Sequence, residues 1–162
     1  ILGPWATVGT GTTLQYATRD GSNRIVSYAG ATAASANLAN VTSATTNYSY
    51  GAAATLGGNR TGNTLRYTGG ATTTALGTNS LTLNGLMHAG TGTLTITGTA
   101  GSAGLVTGAT GALAIINNAR TTAISSVSCS FSGRASEPTS WTISISLSSS
   151  CNIPIASSTS CL

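Results

Sequence analysis

Between Asn63 and Asn118 the chain repeats one small pattern four times. The segments "NTLRYTGG", "NSLTLNGL", "GTLTITGT" and "GALAIINN" each carry two apolar residues separated by a single position: Leu65 and Tyr67, Leu81 and Leu83, Leu94 and Ile96, Leu113 and Ile115. A period of two puts each pair on one face of a strand and Arg66, Thr82, Thr95 and Ala114 on the other, which predicts short, half-buried strands. Glycine and asparagine concentrate between the pairs, where tight turns need residues that tolerate left-handed backbone. Strand, turn and strand in units of about 20 residues predict a solenoid, in which each coil exposes an apolar inner face that only the next coil covers. The competing architecture, an antiparallel β-sandwich, calls for strands of about 5 to 8 residues and cleaner two-residue turns. The expected fold is therefore all-β and a β-solenoid.

The flanking segments read differently. "ILGPWATVGTGTTLQYATRDGSNRIVSY" places Trp5, Leu14, Tyr16, Ile25, Val26 and Tyr28 around a turn at "RDGSN" and predicts a hairpin or the first coils. "AGATAASANLANVTSATTNYSYG" is weakly patterned, as a looser coil would be. Beyond Ile124 the only glycine is Gly133 and serine takes over, which divides the chain into a solenoid region, 1–124, and a Ser-rich, Cys-containing tail, 125–162. The tail is expected to supply capping strands or to be partly disordered. In "TISISLSSS", Ile143, Ile145 and Leu147 alternate with serines, a pattern that suits a final strand closing an open solenoid end.

Composition narrows the function classes. Charged residues make up 5% of the chain, against about 25% in ordinary globular domains. The net charge of +4 comes from six scattered arginines against Asp20 and Glu137, with no basic stripe and no aromatic interleaving, so no nucleic-acid partner is expected. No run approaches the roughly 18 apolar residues of a membrane-spanning helix. The start at Ile1 rather than methionine suggests a processed N-terminus or a fragment. Cys129, Cys151 and Cys161 allow at most one intrachain disulfide, with the pairing open, and their spacing fits no zinc motif. Neither a metal nor a cofactor is expected.

The opening "ILGPWATVGTGTTLQYATRDGSNRIVSY", with the later "NTLRY" and "SLTLNGL", resembles bacterial proteins that carry autotransporter-associated β-strand repeats. The resemblance covers about residues 1–124 and implies a right-handed parallel β-helix, secreted or on the cell surface, usually without an assigned enzymatic activity. The serine-rich tail departs from the pattern, as a fused or frame-shifted segment would.

Three residues are candidates for chemistry. His88, in "SLTLNGLMHAG", is the only histidine and the natural general base, but no G-x-S-x-G elbow accompanies it and few acids are available to orient it. The simpler expectation is a polar residue at the surface corner of a coil. Arg66 should alternate outward into a row with Thr82 and Thr95, a solvated face that could hold a glycan or lend a charge to a lyase. Asp20 in "RDGSN" should initiate a turn, since pairing with Glu137 for glycoside hydrolysis would have to join opposite ends of the chain. The expected function is a structural or adhesive solenoid fragment of a secreted or cell-surface bacterial protein, binding glycans or surface components through its ladder faces. One alternative is a small metal-independent hydrolase or polysaccharide lyase using His88 or Arg66. Another is a module that forms homo-oligomers through coil ends or the tail.

Overall fold

The computed structural model describes residues 1–99, 102–117, 122–125 and 145–147. Three antiparallel strands come first: β1 (Thr7–Val8), β2 (Gln15–Arg19) and β3 (Ile25–Ser27). A short strand β4 (Thr32–Ala33) then leads into the coils. β5 (Thr42–Tyr50) and β6 (Ala54–Thr55) form one coil, and β7 (Arg60–Tyr67) with β8 (Thr72–Gly77) forms the next. β9 (Ser80–Leu83), β10 (Gly85–His88) and β11 (Leu94–Gly98) follow, and then β12 (Gly104–Thr107), β13 (Ala114–Asn117) and β14 (Thr122–Ser125). Successive coils pair in parallel, giving a β-solenoid of about three turns. That pairing excludes the antiparallel sandwich. Within the tail, β15 (Ile145–Leu147) pairs antiparallel with β14, Ile145 opposite Ile124. Glu137 and the three cysteines lie outside the described residues.

The four similar segments are not four equivalent positions. Leu65 stacks on Leu86 and then on Ile115, Leu81 stacks on Leu105, and Ile96 belongs to a second sheet, between Thr74 and Ile124. A single coil has three strand legs, each with one face turned to the core, so the alternating pattern recurs within a coil as well as between coils. β7 shows this directly. Its first residues, Arg60 and Thr61, pair with β9, and Thr64 to Tyr67 pair with β10.

Inward side chains fill one continuous core that includes Leu65, Tyr67, Leu76, Leu81, Leu83, Leu86, Leu94, Ile96 and Leu105. Each such leucine or isoleucine removed from water contributes about 1.5–3 kcal/mol before entropic costs. At the start of the solenoid a 3-10 turn, Ala36–Leu38, brings Leu38 into this core, and Asn37 Oδ1 accepts the Thr55 amide at 3.0 Å. Asn37 and Leu38 both sit in the left-handed region, at φ 55° and 56°. Burial of Leu38 and the Asn37 hydrogen bond offset the cost of that backbone.

Two kinds of corner hold the legs in register. The first is polar: Asn63 Nδ2 donates to Asn47 Oδ1 at 2.9 Å, and Asn84 Nδ2 donates to Asn63 Oδ1 at 3.0 Å. Thr110 ends the series by donating its hydroxyl to Asn84 Oδ1 at 2.8 Å. The second corner needs bare backbone. A Cβ on Gly69 would collide with the carbonyl oxygen of Gly51, and one on Gly90 with that of Gly69, so glycines stack where the chain leaves the β5, β7 and β10 legs.

Replacing the central rung tests the ladder. Asn63→Ala removes one donor and leaves the Asn84 amide without its acceptor, so a loss of about 1–3 kcal/mol is expected in urea unfolding followed by circular dichroism. A change within a few tenths of a kcal/mol would show that water replaces the rung without cost.

Candidate functional site

His88 is not a corner residue. It ends strand β10, its side chain is 1% exposed, and it points into the core. The reason lies in the strand: Leu86, Met87 and His88 continue the extended backbone opposite Leu65, Arg66 and Tyr67, and the turn waits until Gly90. Alternation then assigns Leu86 and His88 to the interior. In register, Tyr50, Tyr67, His88 and Asn117 occupy one column along the solenoid. The Tyr50 and Tyr67 rings meet edge to face at 5.0 Å between centroids, and the Tyr67 and His88 rings lie 5.5 Å apart. Tyr50 also reaches across the core, its hydroxyl 3.0 Å from Thr74 Oγ1.

Burial lowers the His88 pKa from its ordinary value, against smaller opposing effects of hydrogen bonds with the Gly92 backbone and the Asn117 side chain. The imidazole is thus held in its neutral form as one step of an internal column.

Arg66 departs from expectation in a different way. It does point out of the core, but the outer face of its leg is not solvated. Its Nε donates to the carbonyl of Leu14 at 2.8 Å and its Nη2 to that of Thr12 at 3.1 Å. The N-terminal strands lie across this face and bury Met87 and Ala89 together with Leu14 and Tyr16. That cover explains why every residue of β10 is buried although the strand alternates. The expected row of Arg66, Thr82 and Thr95 does not form: Arg66 aligns with Ser49 and Met87, Thr82 with Thr61, and Thr95 with Thr73. Three legs per coil separate residues that a simple repeat would superimpose.

Asp20 closes the turn between β2 and β3. Its Oδ1 accepts the amides of Ser22 at 2.9 Å and Arg24 at 3.0 Å, and its Oδ2 pairs with Arg24 Nη2 at 2.8 Å. Hydrogen bonds from the Arg24 backbone and then its side chain hold the carboxyl below its ordinary pKa. The structure therefore does not bring the three candidates together: His88 faces inward, Arg66 faces the N-terminal cover, and Asp20 is engaged by its own turn. Among the described residues no three His, Cys, Asp or Glu side chains gather around a point that a metal could occupy. None of their helices is long and apolar enough to cross a membrane.

The local sequence pattern does not mark the outer face of the second sheet. On β8 the buried residues are Thr74 and Leu76, and on β11 they are Leu94 and Ile96, so Thr73, Ala75, Thr95 and Thr97 turn outward. Thr73 pairs with Thr95 and Ala75 with Thr97, while Thr55 of β6 pairs with Ala75. The result is two short rows of small, uncharged side chains on adjacent parallel strands. The signal was present in "TTTALG" and "LTITG", but either threonine parity in the first is compatible with a strand until Leu76 fixes the inward set.

No family model, curated protein or solved structure matches this chain.

The position of His88 predicts an acid dependence. Its folded-state pKa lies below the unfolded value of about 6.5, so the unfolded chain binds the proton first and stability falls as pH drops through and below that value. The urea midpoint of the wild type should be level above about pH 7 and decline towards pH 5, and His88→Gln should flatten the slope in that window. Asp20, with a depressed carboxyl pKa, contributes its own loss only in more acidic solution. An unchanged slope in His88→Gln would assign the dependence to another group.

Proposed function

We propose that this chain is a structural, adhesive β-solenoid segment of a secreted or cell-surface bacterial protein, and that it binds glycans or other neutral surface components through a flat side of the coil. The observation that carries the reading is the pair of in-register rows, Thr73 with Thr95 and Thr55 with Ala75 and Thr97, on the outer face of β6, β8 and β11. Threonine hydroxyls donate and accept hydrogen bonds, and their methyl groups present apolar contact beside them. Parallel strands repeat such groups at about 4.8 Å across the face, a spacing suited to an extended polymer rather than to a small molecule held in a pocket. The low content of charge fits a neutral partner. The resemblance to passenger-like repeats supports the same placement outside the cell.

The catalytic alternative loses its residues to structural work. His88 is enclosed in the core column, and both identified Arg66 contacts go to backbone carbonyls of the N-terminal segment. An enzyme would require a titratable group open to substrate, and neither residue supplies one in this arrangement.

A binding assay tests the adhesive reading. The purified chain should be retained on at least one member of a panel of immobilised neutral polysaccharides. Thr73→Glu with Thr95→Glu should reduce retention about tenfold or more by placing two carboxylates in the row. Thr82→Glu, on a different leg, should leave retention unchanged, with thermal melts confirming that both variants fold. Equal loss in both variants, or no retention of the wild type on any member, would sink the proposal.

A further inference from the structure

The N-terminal strands are attached to the solenoid in an unusual way. β1, β2 and β3 pair only with one another, and among the described residues no backbone hydrogen bond joins residues 1–31 to the coils. The main core contains no residue of that segment. Leu14 and Tyr16 instead form a separate cluster with Met87 and Ala89, against which Ile1, Tyr28 and Ile116 pack. Among the described residues, covering and covered surfaces thus meet without a backbone-to-backbone hydrogen bond, and the segment is tethered through exposed Ala29 and Gly30.

Arg66 supplies the polar link, and its geometry has a clear cause. The 3-10 turn Gly11–Thr13 uses the carbonyls of Thr10 and Gly11 for its own amides, at 3.1 and 3.2 Å. Carbonyls at the end of such a turn need outside donors, and those of Thr12 and Leu14 receive them from the two nitrogens of one guanidinium. The planar fork suits two carbonyls at once, and its positive charge lies at the negative end of the turn. Close seating also depends on Gly85, where a Cβ would come within 2.8 Å of the Pro4 Cβ.

We propose that residues 1–28 are a latched strap that opens as one unit while the solenoid beneath remains folded, with Arg66 as the latch. Among the described residues, opening breaks one side-chain cluster, the two Arg66 hydrogen bonds and the contact of the Tyr16 hydroxyl with Thr64, and it breaks no rung of the parallel ladder. It bares Met87 on β10, Ala89 just beyond that strand, and Ile116 on β13. Elements held by few contacts separate from a structure at lower free energy than those sharing its core.

Hydrogen exchange of the full chain, resolved by peptide and followed through increasing low concentrations of urea, tests this. In the wild type, amides of 1–28 should exchange together, at lower urea than those of β7, β10 and β11. Arg66→Ala should speed exchange in 1–28 by about tenfold or more and leave the solenoid amides unchanged, because two charge-assisted hydrogen bonds are lost. Arg66→Lys, which retains the charge without the fork, should fall between. A single transition shared by both regions in the wild type would overturn the proposal even if the variants did not fold. An Arg66→Ala chain in which 1–28 exchanges as before, or in which both regions accelerate equally, would overturn it as well.

Discussion

The interaction on which the solenoid depends is the side-chain ladder of Asn47, Asn63 and Asn84. Parallel strands in successive coils have no hairpin to set their register, and a slip of one residue would turn every inward side chain outward. A carboxamide carries a donor and an acceptor, so each asparagine can accept from the next coil while donating to the one before, as Asn63 does between Asn84 and Asn47. Asn47 Oδ1 takes a further hydrogen bond from Thr64 Oγ1 at 2.9 Å, which ties the ladder to a fully buried position on β7. With that corner fixed, Leu65 must meet Leu86 and Tyr67 must meet His88.

The same register gives the coil sides different surroundings. The outer side of β7 and β10 is covered by the N-terminal strands, and its outward residues have become partly interior. The outer side of β8 and β11 keeps its uncharged rows of threonine and alanine. Among the described residues, a repetitive backbone therefore carries a core, a covered interface and an outer face of small uncharged side chains, distinguished by which side chains occupy the outward positions.

Much of this architecture was legible in the chain. Alternating apolar pairs bounded by glycine and asparagine specify short half-buried strands, and their repetition specifies a solenoid. The assignment of legs was not legible, because Leu65, Leu81 and Leu94 stand in near-identical local patterns yet occupy three different strand positions. Register depends on contacts between coils, which local pattern does not encode. His88 shows the same limit. "LMHAG" reads equally as a strand end or as a corner, and only pairing with Leu65 to Tyr67 puts the imidazole inside. Alternation turns Arg66 out of the core, but its partners lie more than fifty positions earlier in sequence, at Thr12 and Leu14.

The register shift in β5 has a consequence for how such a chain can change. Pairing with β7 is lost after Ser43 and resumes at Asn47, whose partner is Thr64, so extra residues are looped out on the β5 side before the asparagine corner. Insertions are absorbed between fixed points instead of propagating along the coil. At Asn47 the register is restored after the bulge. A coil built this way can change length before its asparagine corner while the inward residues beyond it, Leu65 and Tyr67 among them, stay aligned with their neighbours, so periodicity fades from the sequence before the stack is disturbed.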